Sequence, residues 1–374
     1  MDSLRPLLPQ ISATAALVTY ASTRKKLTPA GIVAGILVAG VHMLHPWPAF
    51  FWLLIIFFVL GTGVTRVGKK AKAGLTISYS GAKGLIGIGE KGGSKGDAGH
   101  AEGEGGEGAR TSVQVFANSG FACVLILAYT YLLTSTGPFI SSHISGLSPG
   151  LYMPALSAVL PIGIIAQYAA VASDTFSSEL GILAKTKPVL IMAPWKRVPA
   201  GTNGGVTIEG VGWGVLGGFL LTLTAALALR VSPPYVSLDV STVALLTVAG
   251  LVGTVMDSLL GALVQATVTD GKTGKVVEGH GGMRVQVMQG GGKVKAGGMD
   301  VLTNNGVNFV MAAGSSIPIF VQPSAIRNGY GSFCLPNKQL CKNRGISKKT
   351  TTTPPNASRT PYTSFYSKRA TFMS

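Results

Sequence analysis

The stretch that decides the fold of this chain is LYMPALSAVLPIGIIAQYAAVASDTFSSELG, residues 151–181. An apolar run typical of a membrane helix leads directly into Asp174 and Glu179, and a second apolar run encloses Asp257. A carboxylate at bilayer depth costs roughly 2.5–3.5 kcal/mol, and a chain retains one only where it faces protein, water or a cation. We therefore expect membrane helices here, and the three acids are the best pointers to function.

The composition of the whole chain is typical of a multi-span membrane protein. Of its 374 residues, 47% are hydrophobic and 12% are charged, whereas soluble domains contain about 25% charged residues. The 51 glycines favour close packing of helices in lipid, because small residues let backbones approach each other. An ordinary soluble α/β enzyme is therefore excluded. The predicted fold class is an all-α polytopic membrane protein, a bundle of about 7–8 transmembrane helices.

Apolar segments and low-complexity segments define the domain organisation. We predict a multi-span membrane domain at 1–321 and a disordered, polar, basic tail at 322–374. Residues 80–109 are Gly-rich and typical of a flexible cytosolic loop. The segments predicted as helices are 7–21, 28–44, 48–64, 113–133, 151–173, 208–229, 240–266 and 306–321. The last segment is barely long enough to cross a hydrocarbon core of about 30 Å at about 1.5 Å per residue.

Basic residues are concentrated in alternate loops, which predicts the orientation in the membrane. The loops that contain Lys and Arg are 23–27, 64–112, 174–207 and 266–305, and the connections between them contain none. The positive-inside rule places the basic loops in the cytosol. We expect an integral protein of the endoplasmic reticulum or another endomembrane, with a cytosolic active face. The net charge of +17 is interpreted as this loop charge, and no nucleic-acid partner is expected, because the basic residues do not cluster with aromatic ones.

The acidic residues can meet inside the bundle. On a helix, Asp174 continues a stripe of small residues spaced by four, and Asp257 shares a face with Gly253 and Gly261. Two or three carboxylates that meet between close-packed helices, with Glu179 as the third, can hold Mg²⁺, which prefers oxygen ligands. The alternative for each acid is a helix cap or an ion pair near the membrane interface.

Two further polar stretches can contribute to a site. The loop before the sixth apolar segment contains Gly201, Thr202, Asn203, Gly204 and Gly205 and follows Lys196 and Arg197. Backbone N–H groups of a Gly-rich loop beside a helix N-terminus bind anions, although a plain Gly turn is the alternative and the Walker ending is absent. The fourth apolar segment begins with a polar stripe at i, i+4 and i+8, which either joins helices or lines a cavity. The residues of this stripe are Arg110, Gln114 and Asn118.

A set of motifs in a fixed order resembles a known polytopic family. The motifs are GTGVTR (61–66), RT (110–111), QVFANSG (114–120), ASDTFSSELG (172–181), VPAGTNGGV (198–206), DSLLGA (257–262) with Gln265, and NNGVNF (304–309). Together they resemble the family called domain of unknown function ninety-two, which includes the animal transmembrane protein nineteen and the plant phytyl-phosphate kinase. The resemblance covers roughly residues 25–321. The insertion at 80–109 and the polar sequence after residue 321 depart from the family pattern.

The resemblance implies a nucleotide-dependent kinase that converts an isoprenyl monophosphate to the diphosphate. In that hypothesis Asp174 and Asp257 hold Mg²⁺, Glu179 supports them, and Arg110 binds the acceptor phosphate. The nucleotide, CTP or another nucleoside triphosphate, is assigned to the remaining polar residues, which are Lys196, Arg197, Gly201, Thr202, Asn203, Gly204, Gly205, Gln114 and Asn118. The expected partners are the lipid bilayer, an isoprenoid lipid phosphate and the nucleotide. The alternatives are a membrane transporter, since intramembrane acids also mark ion pathways, and a non-catalytic membrane protein.

Overall fold

The computed structural model describes residues 5–79, 102–104, 108–134, 149–285 and 293–317. Each of the eight apolar segments predicted above overlaps a helix, and a short polar helix, α4, is additional. The helices are α1 (Leu8–Thr23), α2 (Pro29–Leu44), α3 (Ala49–Arg66), α4 (Lys69–Ala73), α5 (Ser112–Thr134), α6 (Pro149–Gly181), α7 (Ile208–Val231), α8 (Val240–Val264) and α9 (Asn304–Ser315). The predicted polar tail at 322–374 lies outside the described residues.

Five helices within the described ranges, α3, α5, α6, α7 and α8, are long and apolar enough to cross a membrane. Helix α2 is apolar but shorter, at 16 residues. Helix α9 has 12 residues and is about 18 Å long, which is too short for a core of about 30 Å. The chain is therefore an all-α polytopic membrane protein, as predicted, in which the last apolar segment forms a helix that ends inside the bundle.

Helix α6 is the centre of the bundle. Every residue from Leu160 to Ser173 is buried, which is typical of a helix that is apolar on all sides. Glycines on its neighbours allow this packing, since a Cβ on Gly250 of α8 would lie 2.9 Å from the carbonyl oxygen of Ala169. Helix α6 therefore fixes the relative positions of the helices that surround it.

Two small sheets lie at the ends of the helices and were not predicted from the sequence. The five-stranded sheet has the order β2-β1-β7-β6-β8 and the three-stranded sheet the order β4-β3-β5. The strands are β1 (Thr76–Tyr79), β2 (Glu102–Glu104), β3 (Val189–Leu190), β4 (Ala193–Arg197), β5 (Gly205–Val206), β6 (Thr267–Asp270), β7 (Val276–Gly279) and β8 (Lys293–Gly297). Strands β1 and β7 are parallel, whereas the other pairs are antiparallel. Strand β2 lies within 80–109, the segment predicted as a flexible loop, most of which lies outside the described residues.

Candidate functional site

A polar cavity of about 440 Å³ lies among the ends of the helices on the side of the two sheets. Helices α6 and α8 and the segments that contain Glu278 and Asp300 provide its acidic residues, and its basic residues come from α3, α4, the start of α5 and the connecting loops. Strands β1, β6 and β7 of the five-stranded sheet, the Gly-rich loop and the start of α9 also contribute to the lining. The cavity therefore combines membrane helices with the polar segments that connect them.

The structure brings Asp174 of α6 and Asp257 of α8 into this cavity. The hydroxyl of Thr254 donates to Asp174 Oδ1 at 3.2 Å. The side-chain amide of Asn308 on α9, oriented to donate, lies 3.1 Å from Asp257 Oδ1. The two carboxylates also interact electrostatically with each other. Three helices thus hold two acids in one space, and each acid has a polar neighbour that fixes its side chain.

Glu179, the third predicted acid, lines the cavity but has a different partner. Its Oε2 accepts from Lys72 Nζ of α4 at 2.5 Å, and Lys72 also donates to the backbone oxygen of Val64 at 3.2 Å. Lys72 is buried. The ammonium group therefore neutralises Glu179, whereas Asp174 and Asp257 have no ion pair with any residue of the described ranges.

The pair of carboxylates fits a divalent cation. Within the described ranges no group of three or more His, Cys, Asp or Glu side chains is placed to hold a metal ion. Mg²⁺ does not need such a cage, because it is usually bound by one or two carboxylates together with waters and substrate phosphates. Asp174 and Asp257 provide that all-oxygen set, so the donor chemistry fits Mg²⁺ and does not fit a thiolate or imidazole metal site.

Basic residues line the same cavity as the two aspartates. Arg110 precedes α5, and its backbone N–H and C=O bond to Lys26 O at 2.9 Å and Thr28 N at 3.0 Å. Its guanidinium donates to Thr65 Oγ1 at 3.4 Å and lies against Gly61 of α3, whose lack of a side chain leaves room for it. Among the described residues, no carboxylate pairs with Arg66, Lys69 or Arg110, and all three line the cavity.

The polar stripe at the start of α5 combines a capping role with a place in the cavity. Thr111 and Gln114 form a capping box, in which Gln114 Oε1 accepts from Thr111 N at 2.9 Å and Thr111 Oγ1 accepts from Gln114 N at 3.3 Å. Asn118 lies one turn further and accepts at its backbone oxygen from Gln167 of α6 at 3.2 Å. Arg110, Gln114 and Asn118 all line the cavity.

The Gly-rich loop lines the cavity but uses much of its hydrogen bonding internally. Gly201 and Gly204 have positive φ angles of 84° and 75°, and a Cβ on Gly204 would lie 2.8 Å from the backbone oxygen of Ser258 in α8. The backbone N–H groups of Thr202, Asn203 and Gly205 all donate within the protein. The loop therefore packs closely against α8 and shapes the cavity wall, and few of its N–H groups remain for a phosphate.

Lys196 and Arg197 lie away from the cavity. Both are exposed on β4 and neither is among the residues that line it. Their predicted part in nucleotide binding stays a prediction.

Two threonines that line the cavity were assigned no role from the sequence. They lie at the N-termini of α7 and α9, where the hydroxyl oxygens of Thr207 and Thr303 accept hydrogen bonds from the N–H groups three residues later, at 3.0 and 3.2 Å. Both threonines line the cavity, and the Thr-x-x-Gly pattern at each was the available signal.

The chain is similar to known membrane proteins. The family model described as integral membrane protein DUF92 matches residues 12–316. Protein PGR of Arabidopsis thaliana is 32% identical over 305 residues, which cover 80% of this chain and 89% of the relative. Protein VTE6, chloroplastic, of the same plant is 25% identical over 239 residues, which cover 64% of this chain and 56% of the relative.

A shorter match extends to archaea. An uncharacterized membrane protein of Methanocaldococcus jannaschii is 44% identical over 104 residues, which cover 28% of this chain and 40% of the relative. No solved structure matches this chain. The family model covers most of this chain. The match with PGR covers 80% of this chain and 89% of PGR. The chain therefore belongs to the DUF92 family of integral membrane proteins.

Proposed function

We propose that this protein is a Mg²⁺-dependent kinase that transfers a phosphoryl group from CTP or another nucleoside triphosphate to an isoprenyl monophosphate. The observation that supports this proposal is a single cavity lined both by Asp174 and Asp257, which we call its acidic wall, and by Lys69 and Arg110, which we call its basic wall. A kinase that joins two phosphates needs both, because phosphoryl transfer depends on positioning and charge neutralisation more than on covalent participation of the protein.

The reaction is a displacement at the γ-phosphorus of the nucleotide. An oxygen of the isoprenyl monophosphate forms a bond to this phosphorus, and the bond between it and the β,γ-bridging oxygen breaks. The products are the isoprenyl diphosphate and the nucleoside diphosphate. No oxidant and no protein nucleophile is required, which agrees with a cavity whose lining includes no cysteine or histidine in the described part of the chain.

The acidic wall is assigned to the metal. Asp174 and Asp257 would hold Mg²⁺, which supplies charge neutralisation for the nucleotide phosphates when it is bound. Thr254 and Asn308 orient the two carboxylates through hydrogen bonds of 3.2 and 3.1 Å. Glu179 supports the wall indirectly by fixing α4 through Lys72. The carboxylates would therefore approach the ion with little reorganisation.

The basic wall is assigned to the two phosphate-bearing substrates. Arg110 binds the acceptor phosphate, since a guanidinium matches phosphate oxygens and its position is fixed by backbone hydrogen bonds on both sides. The N-termini of α7 and α9 direct the positive ends of their helix dipoles toward the cavity from Thr207 and Thr303. Gln114, Asn118 and the 201–205 loop shape the nucleotide side, and Lys196 and Arg197 are proposed to contact the nucleotide from outside the cavity.

We also propose that the cavity faces the cytosol of an endomembrane. Its basic residues belong to the same loops that the positive-inside rule places in the cytosol. Nucleoside triphosphates are available on that side. The acceptor would reach the cavity from the bilayer, in which its hydrocarbon chain resides.

The test of the proposal is an assay for nucleotide-dependent formation of diphosphate from isoprenyl monophosphates by the purified protein in lipid nanodiscs. Asp174→Asn and Asp257→Asn are each expected to reduce turnover by more than about a hundredfold, a size typical of lost electrostatic stabilisation. Asp270→Asn is the matched control, because Asp270 lies on β6 outside the cavity lining. Full activity in both cavity variants, or no product from the wild type with any nucleotide, would contradict the proposal.

One observation favours a transporter as the second candidate. Helix α9 begins at the cavity and ends inside the bundle, where Ser316 Oγ donates to Gln167 Oε1 at 3.2 Å. Broken helices with polar ends near the membrane centre are typical of transporters. Reconstitution in sealed liposomes separates the two functions, since ion or solute flux without diphosphate formation would favour transport.

A further inference from the structure

A second cavity, of about 90 Å³, lies between α1, α2, α3 and α5. We call it the apolar groove. Hydrophobic side chains from each of these helices line it, among them Leu17 of α1, Phe58 of α3 and Val115 of α5, and Gly35 of α2 leaves space in its wall. The groove therefore lies at the level of the membrane helices, and most of the residues that line it do not line the polar cavity.

The apolar groove and the polar cavity share residues at one end. Arg110, Gln114 and Asn118 line both of them. These three residues are the start of α5, and Arg110 has no ion pair with any other residue in the described ranges. A ligand with a long apolar chain and one anionic end would therefore place the chain in the groove and the charge at Arg110.

The outer side of the apolar groove borders the bilayer. Leu17, Val18, Ile55 and Phe58 line the groove and are only partly buried in the protein. Helix α1 packs mainly against α2, and near its end Tyr20 accepts a hydrogen bond from Arg66 of α3. Because three of the four helices are packed together and α1 is peripheral, a lipid chain can enter the groove from the side.

We propose that the apolar groove binds the part of the hydrocarbon chain nearest the phosphate of the isoprenyl monophosphate, while Arg110 binds that phosphate in the polar cavity. The occupant is a single-chain phosphate monoester, because a groove of about 90 Å³ takes a short part of one chain and leaves the rest in the bilayer, with no room for the start of a second chain. This proposal rests on the proposed function for the identity of the ligand and for the later transfer of a phosphoryl group to it. Binding in the groove requires neither a nucleotide nor phosphoryl transfer, so binding and the kinase reaction can be tested separately.

The chain offers a matched pair of variants for the test. Gly35 lines the apolar groove, and the nearest atom to a Cβ built on it is Leu27 Cδ1 at 3.9 Å. Gly40 lies on the same helix with nothing within 4 Å of such a Cβ, and it does not line the groove. Gly35→Leu fills the groove, whereas Gly40→Leu adds the same side chain elsewhere on α2. Val115→Phe fills the groove from α5 and gives a second, independent variant.

The measurement is equilibrium binding of radiolabelled farnesyl monophosphate to the full chain in phosphatidylcholine nanodiscs without nucleotide. Saturable binding is expected for the wild type, with Kd raised more than about tenfold by Gly35→Leu and Val115→Phe, since about two chain methylenes lose their burial. Gly40→Leu is expected to stay within about twofold of the wild type. Unlabelled farnesyl monophosphate should displace the probe, whereas inorganic phosphate at the same concentration should not.

The outcomes separate the groove from the kinase. Wild-type affinity in both Gly35→Leu and Val115→Phe, or no saturable binding by the wild type, would overturn the groove, even if diphosphate is formed. Weakened binding in both variants supports the groove, and if the wild type then forms no diphosphate with any nucleotide, the proposed function alone is refuted. Displacement by inorganic phosphate as effective as that by farnesyl monophosphate would show an anion site without a chain site and would also overturn the proposal.

Discussion

The ammonium of Lys72 donates to the carboxylate of Glu179 at 2.5 Å and so ties the short helix α4 to the end of α6. The two side chains are only 9% and 18% exposed. A charge taken out of water needs a partner, and each of these residues is the partner of the other. This arrangement favours a structural role for Glu179 over a role as the third ligand of a metal ion. It also holds the basic residues of α3 and α4 beside the acids of α6 and α8.

Removing one member of this pair should destabilise the protein more than removing both. Lys72→Met leaves a mostly buried carboxylate without compensation, so we expect the free energy of unfolding to fall by up to about 3 kcal/mol. The double variant Lys72→Met with Glu179→Gln should recover much of this loss. Thermal unfolding in detergent, followed by circular dichroism, measures both.

The control for this prediction is the second ion pair at the cavity. Arg284 and Asp300 are separated by 3.5 Å and are 51% and 49% exposed. Arg284→Met should therefore change stability by less than about 1 kcal/mol. If the double variant at 72 and 179 were less stable than either single variant, the pair would not be coupled in the way described.

Replacing Arg110 should weaken the binding of the isoprenyl monophosphate and leave the binding of the nucleotide unchanged. Arg110→Gln removes a charge-assisted hydrogen bond, which is worth about 1.5–3 kcal/mol, so KM for the isoprenyl monophosphate should rise about tenfold to a hundredfold. KM for the nucleotide should change little. Steady-state kinetics with each substrate varied in turn measures the two effects.

Arg197 provides the comparison for Arg110. It was assigned to the nucleotide from the sequence, yet it is exposed on β4 and does not line the polar cavity. If Arg197 contacts the nucleotide from outside, Arg197→Gln should raise KM for the nucleotide alone. An unchanged KM would remove Arg197 from the site, and a raised acceptor KM would contradict the division of roles.

Gly204 should not tolerate a side chain. Its φ of +75° disfavours other residues, and a Cβ would lie 2.8 Å from the Ser258 carbonyl oxygen. We expect Gly204→Ala to cost at least about 1–3 kcal/mol of stability and to shift the loop away from α8. Gly212→Ala is the matched control, because nothing lies within 4 Å of its Cβ, and alanine within a helix should stabilise by about 0.5–1 kcal/mol. Chemical unfolding of both variants tests the contrast.

Asp239, which caps the N-terminus of α8, should make the stability of the protein depend on pH. The hydrogen bonds from Thr242 hold the pKa of this carboxyl below its ordinary value of 3.8. Because the folded pKa is the lower one, the carboxylate contributes stability above about pH 4 and loses it as the pH falls through the folded pKa. Asp239→Ala should cost about 1 kcal/mol at pH 6, and the gap to the wild type should narrow below pH 3.8.

Asp239→Asn is the control for this pH dependence. Asparagine also accepts a hydrogen bond at a helix start but does not titrate in this range. Thermal midpoints of the three proteins between pH 6 and pH 3 provide the measurement. If the difference in thermal midpoint between the wild type and Asp239→Ala stayed constant over this pH range, the charge of Asp239 would not contribute to stability.

Much of the bundle could be predicted because a hydrocarbon core allows few solutions. Each apolar run had to become a helix, since no other spanning segment satisfies its own backbone hydrogen bonds. The end of the last helix could not be predicted in this way. Residues 306–321 form one apolar run in the sequence, yet α9 ends at Ser315, beside Gln167. The pattern of apolar runs does not show that a buried polar side chain of another helix, here Gln167, bonds to the chain at the end of α9.

The sheets escaped prediction because their strands are short. Strands β6 and β7 have four residues each, and β1 pairs with β7 across about two hundred residues of sequence. Segments of this length have no reliable periodicity, and their strand conformation is stabilised by pairing with distant partners. For the same reason strand β2, at 102–104 in a Gly-rich stretch, was not predicted.

The sequence by itself determined that this chain lies in a membrane as a helical bundle, and that Asp174 and Asp257 must be sheltered from lipid, because both follow from the cost of polar groups in hydrocarbon. Only the tertiary structure decided which polar groups share a cavity. It placed the two aspartates in the same cavity, paired Glu179 with Lys72, and placed Lys196 and Arg197 outside that cavity. Those outcomes depend on how α6 packs against its neighbours, and contacts between distant segments are not encoded in the local pattern of any one of them.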